Sequence, residues 1–397
     1  MISLSKIYFH IDVNNAFLSW EAIYRLNKGD KLDIRTVESA IAGDPKKRTG
    51  VILAKSPLAK AKGVKTGESI YEAKKKCPNI KLYPPHHDFY EMQSNKMREL
   101  LMDFSDIIEQ FSIDEYFIEH LPLFGDYMTN AKNIQKKIYN TLGFTVNIGI
   151  SDNKYLAKIA SDFEKPNKIH TLFKSEIKEK LWPLDIKDMF LLGPQSAKKL
   201  KAIGINTIEK LANTDVKILT QHLKSHGEEL FNYAWGIDFK PTHIKGNTPK
   251  SVGHSKTSIK DLTDINDIYC FLLDIVNDTC IRLRKENLKA KTISLTLKTS
   301  NFKVYSSSYT LLSATDVTSE IFEISKKILN NMYKKEPLRL IGVSLSSLEE
   351  DRNLQLNVFD TFNENNHKVD KAVDNILNKY NNSHIVTRAS LLKGKDN

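Results

Sequence analysis

The stretch FSIDEYFIEH, Phe111 to His120, constrains this chain more than any other. Phe111, Ile113, Tyr116, Phe117 and Ile118 read as a strand that other parts of the protein have to cover. Inside that apolar run stand two adjacent carboxylates, Asp114 and Glu115. Carboxylates are seldom buried without a partner, so a fold that covers this strand also has to supply positive charge. A further acid has a similar setting: Asp12 lies at the end of an alternating strand in KIYFHIDVNNAF, Lys6 to Phe17. If the two strands meet in one sheet, three carboxylates share one place, and they repel one another unless a cation lies among them. Mg²⁺ suits such hard oxygen ligands, and two such ions stabilise the attacking and leaving oxygens of an in-line phosphoryl displacement. Against this, Asp-Glu pairs are common and most are solvated or salt-bridged. Adjacent strand residues also point to opposite faces, so both acids serve one site only at a turn, a bulge or a strand end.

The remaining pattern places these strands in an α+β layer. FLSWEAIYRLN has Phe17, Trp20, Ile23 and Tyr24 on one helical face. VESAIAGDPKKRTGVILAKS reads as two short strands around a turn, and SPLAKAKGVKTGESIYEAKKKCPN as a basic helix, a turn and a short helix ending before Pro78. A helix over Tyr90–Asp106, with Met92, Met97, Leu100, Leu101 and Phe104 inward, leads into the acidic strand. Another helix, Ala131 to Leu142, a strand FTVNIGIS, and a helix capped by Ser151 or Asp152 and closed by Pro166 follow. From Leu172 to about Lys245 the spacing is helical throughout. Between Pro249 and Glu349 the strands TISLTLKTSN, KVYSSSYTL and LRLIGVSLSSL alternate, separated by helices near Asn266–Leu288 and Thr318–Met332. Beyond Glu350 the chain is polar, interrupted by QLNVF and a last amphipathic helix, Val369 to Tyr380.

At 397 residues the chain is expected to form two to four domains. It is 41% hydrophobic and 27% charged, as soluble globular proteins are. No run approaches the roughly 18 apolar residues that span a bilayer, and the start lacks a secretory pattern, which points to a cytoplasmic protein. Cys77, Cys270 and Cys280 match neither a disulfide framework nor a metal spacing, and read as ordinary thiols in a reducing compartment. The net charge of +11 favours phosphate-bearing partners or an anionic membrane surface, although excess lysine is also common on solvated helix faces.

Four segments together carry a family resemblance: IYFHIDVNNAF, FSIDEYF, NIGISDNKYLAKIASDFEKPN and LGPQSAKKLKAIGINTIEKLA. In this order and at these separations they resemble the Y-family DNA polymerases of the DinB/UmuC type. The resemblance covers nearly the whole chain and is strongest from residue 6 to about 215. It implies a multidomain α+β right-hand polymerase. Residues 1–14 and 86–171 would be the palm, 15–85 small fingers, 172–245 a helical thumb with a helix-hairpin-helix, 250–349 an α/β little finger, and 350–397 a C-terminal tail.

The resemblance implies low-fidelity translesion synthesis on primer-template DNA from deoxynucleoside triphosphates. Asp12, Asp114 and Glu115 match the metal-binding carboxylates, and the carbonyl of Val13 would be a further ligand to two Mg²⁺ ions. Phe17 matches the steric gate that excludes a 2′-hydroxyl, and Lys165 a contact to the triphosphate. Where the family shows a Tyr three residues before an Arg, this chain has Pro57 and Lys60, so the planar fork of Arg is lost. Lys55 and Ser56 are candidates to compensate, beside a helix start. Gln195 replaces a glycine of the hairpin, implying a looser grip on DNA phosphates. Gln355, Leu356 and Phe359 in QLNVF resemble a peptide that docks in the bacterial sliding clamp; their own surface packing is the alternative. The enzyme would work as a monomer. A two-metal nuclease, a nucleotide cyclase and a non-catalytic DNA scaffold are the competing readings.

Overall fold

Alternation along IYFHIDV does produce a strand, β1 (Ile7–Val13), and its two faces divide the chemistry of the fold. The computed structural model describes residues 6–44, 48, 50–121, 123, 125–238, 249–350 and 364–380. After β1 come α1 (Ala16–Asn27), β2 (Ser39–Ala42), β3 (Ile52–Lys55), α2 (Pro57–Ala61), α3 (Ile70–Lys76), β4 (Lys81–Tyr83) and α4 (His87–Leu101). Then follow β5 (Ile108–Gln110), β6 (Glu115–His120), α5 (Tyr127–Leu142), β7 (Val146–Ser151), α6 (Lys154–Asp162) and β8 (Ile169–Thr171). The chain divides into two compact units, Met1–Gly43 with Val51–Asn247, and Asp44–Gly50 with Thr248–Asn397.

In the first unit β5-β6-β1-β7-β8 form a five-stranded sheet, with β1 antiparallel to both neighbours and β8 parallel to β7. Phe9, Ile11, Val13, Tyr116, Ile118, Val146, Ile148 and Ile150 face a core completed by Trp20, Tyr90, Met97, Leu101, Ile134 and Ile138. The alternate residues, among them His10, Asp12, Glu115 and Asn147, belong to the other face, where α6 lies. α6 can approach because β7 carries Gly149, where a Cβ would stand 1.9 Å from the Ala157 carbonyl oxygen and 2.4 Å from the Ser161 nitrogen.

Two departures from the sequence reading matter here. The acidic strand is shorter than expected: β6 begins at Glu115, and Ser112 to Asp114 form a bend that joins it to β5. Phe111 accordingly lies at a hairpin end and is exposed rather than covered. Helix α4 begins and ends earlier than expected, and Met92 is on its solvent side.

A smaller sheet, β3-β2-β4, is backed by α2 and α3 around Ile52, Val64, Ile70 and Ile80. Its strand β4 has only three residues and gives no period to read. Past β8, short 3₁₀ and π turns lead to α7 (Pro194–Ala202), α8 (Ile208–Ala212), α9 (Val216–Leu223) and α10 (Ser225–Ala234). Their core of Leu181, Ile186, Leu200, Ile208, Leu219 and Leu230 also contains Tyr155, Leu156, Ile159 and Ala160 of α6. Tyr155 stacks on Tyr233 with centroids 4.0 Å apart. The turn between α7 and α8 uses Gly204 at φ +86°, a conformation that a side chain disfavours.

The second unit contains β9 (Ser251–Leu262), α11 (Ile265–Lys285), β10 (Leu288–Thr299), β11 (Val304–Thr315), α12 (Thr318–Met332), β12 (Leu338–Glu350) and α13 (Glu364–Tyr380). The sheet order is β11-β10-β12-β9, all antiparallel. Ile293, Leu295, Ile341, Val343 and Leu345 pack with α11 and α12 in one core. β9 escaped the sequence reading because polar residues alternate with one another. Lys256 pairs with Asp274 and Asp278 of α11, each at 2.7 Å, where an apolar residue would have marked the strand. Arg284 of α11 grips Asp374 of α13 with two hydrogen bonds of 2.6 and 2.9 Å, and Asp370 accepts from the Thr318 amide. No disulfide joins the three cysteines, and no described helix is long and apolar enough to cross a membrane.

The close approach at Gly149 gives a direct test of the layer arrangement. Gly149→Ala places a methyl inside backbone of α6 and is expected to destabilise the protein by at least about 3 kcal/mol. Urea titration followed by circular dichroism reads this; an unchanged midpoint would mean that α6 is not seated on β7.

Candidate active site

Asp12 and Glu115 are direct cross-strand partners in the β1–β6 ladder. Their neighbour Asp114 lies in the bend before β6, and its carbonyl accepts the Val13 amide at 3.1 Å. The bend resolves the geometric difficulty of adjacent acids: Asp114 is not held to the alternation of a strand, so it need not project opposite to Glu115. Its carboxylate accepts a hydrogen bond from Ser112 Oγ at 2.6 Å.

The positive charge that these acids require comes from α6 and the segment after it. Lys158, buried on α6, donates to Glu115 at 2.9 Å and pairs with Asp162 at 3.1 Å. Lys165 donates to Asp12 and pairs with Asp162 at 2.8 Å. Asp162 therefore links the two ammonium groups, giving a continuous run from Asp12 through Lys165, Asp162 and Lys158 to Glu115. Burial pushes Asp12 up to about 6 despite the opposing charge of Lys165. Burial also works against Glu115, but His10 and Lys158 outweigh it and hold that carboxyl down at about 2. His10 is fully buried, which pushes it down to about 4 against the opposing pull of Glu115. Its Nδ1 lies 2.8 Å from Ser161 Oγ, whose own proton goes to the Lys158 carbonyl.

Asparagines fix the segment that carries Lys165. Asn14 Oδ1 accepts from the Asn167 amide at 2.8 Å, and Asn14 Nδ2 donates to Asn147 at 3.0 Å. Asn147 in turn donates to the carbonyls of Ser161 and Glu164, at 3.0 and 2.6 Å. His10, Asn14, Asn147, Lys158 and Asp162 were not singled out from the sequence. Lys158 had a usable signal, being a lysine that falls on the buried face of its helix.

The other expected residues lie around α1. Phe17 is half-buried and stacked on Tyr90 with centroids 5.1 Å apart. Asn15 Nδ2 donates to the Lys55 carbonyl at 2.8 Å, which ties the start of α1 to the end of β3. Lys55 donates to Thr66 at 2.9 Å. Burial lowers its pKa, and the charge of Lys60 lowers it further, so these two ammonium groups repel each other. Ser56 is different. It is wholly buried, and its hydroxyl accepts from the Ala59 and Ser39 amides at 3.2 and 3.1 Å, so it caps α2 instead of facing solvent. Gln355, Leu356 and Phe359 lie outside the described residues.

Among the described residues no three His, Cys, Asp or Glu side chains converge in ligating geometry, since Asp12 and Glu115 are turned onto lysines. The donor set still fits a hard divalent cation. It offers carboxylate oxygens from two neighbouring strands and a bend, and the ammonium groups occupy the place where positive charge is required.

The fold has a solved counterpart. A Y-family DNA polymerase chimera superposes with a TM-score of 0.75 at 22% identity, covering 87% of this chain and 99% of that one. The architecture is thus that of a Y-family DNA polymerase. Residues 11–162 match the impB/mucB/samB family and residues 249–358 the impB/mucB/samB family C-terminal domain. DNA polymerase IV of Clostridium acetobutylicum is 42% identical over 99% of this chain and 100% of its own length. DNA polymerase IV of Alkaliphilus oremlandii is 38% identical over 98% and 100%. The chain belongs to the impB/mucB/samB family.

The run of alternating charges predicts a specific rescue. Lys158→Met leaves Glu115 and Asp162 short of a cation and is expected to cost about 3–5 kcal/mol, the range for a broken buried pair. Thermal melting with and without Mn²⁺ checks the cause: the cation should raise the melting temperature of the variant more than that of the wild type. Equal shifts in both proteins would detach Lys158 from the charge balance at the carboxylates.

Proposed function

We infer that this chain is a template-directed DNA polymerase that extends a primer opposite damaged template at low fidelity. The observation that carries the reading is the placement of Asp12, Asp114 and Glu115, two of them facing across one ladder and the third in the adjoining bend. In the reaction the primer 3′-oxygen forms a bond to the α-phosphorus of a deoxynucleoside triphosphate. The bond from that phosphorus to its bridging oxygen breaks, and pyrophosphate leaves. Asp12, Asp114, Glu115 and the Val13 carbonyl would hold two Mg²⁺ ions, which supply charge stabilisation to the attacking and leaving oxygens.

The chain's own groups take the remaining work. Lys165 is the group to leave Asp12 for the triphosphate, so one ammonium serves the acids before the nucleotide arrives and the phosphates afterwards. Lys55 and Lys60 repel each other in the free protein, and an anion between them relieves that repulsion. They take the place of a planar Arg fork with two point charges. Ser56 contributes by fixing the start of α2. Phe17 occupies the position of the gate against a ribose 2′-hydroxyl.

In this reading residues 1–14 and 86–171 are the palm, 15–85 the fingers, 172–245 the thumb and 250–349 the little finger. The α7–α8 hairpin offers backbone amides to DNA phosphates, contacts that are independent of sequence and sensitive to salt. Segment 355–359 takes the role of a sliding-clamp peptide, and the enzyme works as a cytoplasmic monomer. Small fingers enclose the nascent pair loosely, which admits distorted bases and weakens selection.

Incubation with Mg²⁺, four deoxynucleotides and a primed template tests the activity. Extension is expected from the wild type and a loss of about 10²–10³-fold or more from Asp114→Ala, on the scale typical of transition-state charge stabilisation. Shortened primer would instead identify a nuclease, and binding with neither outcome a scaffold. Deletion of 355–359 is expected to abolish stimulation by a bacterial sliding clamp and to leave basal extension intact. Loss of basal extension would give those residues a structural role.

A further inference from the structure

A gate discriminates only if its ring cannot yield to the group it excludes. Phe17 lies in the first turn of α1, and its ring is half-buried, so its rigidity depends on what stands behind it. Behind it stands Tyr90 of α4, with ring planes 21° apart and centroids at 5.1 Å. The edge of His87 completes the contact at 5.8 Å.

Tyr90 is fully buried and is itself fixed at its far end. Its hydroxyl donates to Glu21 Oε2 at 2.7 Å. Glu21 is a wholly buried carboxylate on α1, one helical turn after Phe17. Its other polar contacts are His86 Nδ1 at 2.9 Å and Arg25 at 3.7 Å. α1 thus supplies both the gate ring and the acceptor that fixes its backstop, while α4 supplies the backstop and the residue just before it, His86, a second donor. The arrangement is closed: Tyr90 cannot rotate away from Phe17 without leaving a buried carboxylate short of a donor. Packing alone does not explain a buried charge here, because apolar residues of equal volume fill an interhelical space at lower desolvation cost. A charged acceptor fixes where the phenol sits, which an apolar contact does not.

We propose that Tyr90, held by its hydrogen bond to Glu21, is a positioning residue for Phe17 and sets how sharply the site separates deoxyribonucleotides from ribonucleotides. The proposal rests on the reading of Phe17 as the gate. It assigns no contact between Tyr90 and the nucleotide. Its effect passes through the Phe17 ring, so it appears in the ratio of kcat/KM values for the two sugars and not in basal synthesis.

Single-nucleotide insertion of matched deoxy- and ribonucleotides on the full-length protein provides the test, with thermal melting to establish that each variant is folded at the assay temperature. Phe17→Ala is expected to collapse the discrimination ratio. Tyr90→Phe keeps the ring and removes its anchor. It is expected to lower the ratio about tenfold by raising ribonucleotide kcat/KM, a change of about 1.4 kcal/mol. Glu21→Ala, which removes the acceptor and leaves the ring, should act in the same direction. Glu21→Gln retains an acceptor oxygen and should restore a ratio near that of the wild type. Tyr90→Phe added to Phe17→Ala should lower the ratio no further, because the backstop then has nothing to hold. Equal loss for both sugars in Tyr90→Phe and Glu21→Ala would mark the pair as structural and overturn the proposal. If Phe17→Ala admits ribonucleotides while both anchor variants reject them as the wild type does, only the positioning role fails. If Phe17→Ala itself still rejects them, the gate reading fails and takes the proposal with it.

Discussion

Two carboxylates that face each other across neighbouring strands under a helix cannot both stay ionised without cations close by. Asp12 and Glu115 impose that condition on this protein, and much of the first unit is arranged to meet it. α6 brings Lys158 onto Glu115, and the following segment brings Lys165 onto Asp12, with Asp162 between the two ammonium groups. The helix reaches the sheet because β7 has Gly149 at the crossing, and the Lys165 segment is positioned by Asn14 and Asn147. Any cation that binds the carboxylates has to displace an ammonium. Its affinity is therefore the difference between two strong interactions, which keeps it responsive to whatever draws Lys165 away.

The fold was largely legible wherever apolar residues keep a regular spacing. β1, β7 and α12 do so, the two strands by alternation and the helix at helical intervals, and their periods emerge in the sequence. β9 was not legible, because its inner face uses a lysine and a histidine against aspartates of α11. The acidic stretch was read as one strand from Phe111 because Phe and Ile fill it. The bend at Ser112 to Asp114 depends on how β5 and β6 pair, which local spacing does not encode.

The site was legible in part for a related reason. Asp12, Asp114 and Glu115 stood out as acids set in apolar strands, whereas Phe17 and Lys165 came from a family pattern, since each of those two by itself has an ordinary explanation. Apart from Lys158, the residues that support them were invisible. His10 and Asn147 look like polar interruptions of a strand, and Glu21 like the solvated side of an amphipathic helix, yet all three are wholly buried. Their roles are set by contacts between segments far apart in the sequence: 151 residues separate His10 from Ser161, and 69 separate Glu21 from Tyr90. Ser56 illustrates the converse. Its place beside a helix start was correctly read, but both amides that it satisfies belong to the protein itself.

α6 has a mechanical consequence. One side of this helix bears on β1 and β7 with Lys158 and Ser161, and the other is part of the helical core through Tyr155, Leu156 and Ile159. A helix embedded in two cores transmits displacement as a rigid strut. Strain applied to the α7–α10 bundle would be felt at the ammonium group seated on Glu115. The stiffness of one nine-residue helix then limits how independently the bundle and that ion pair can move.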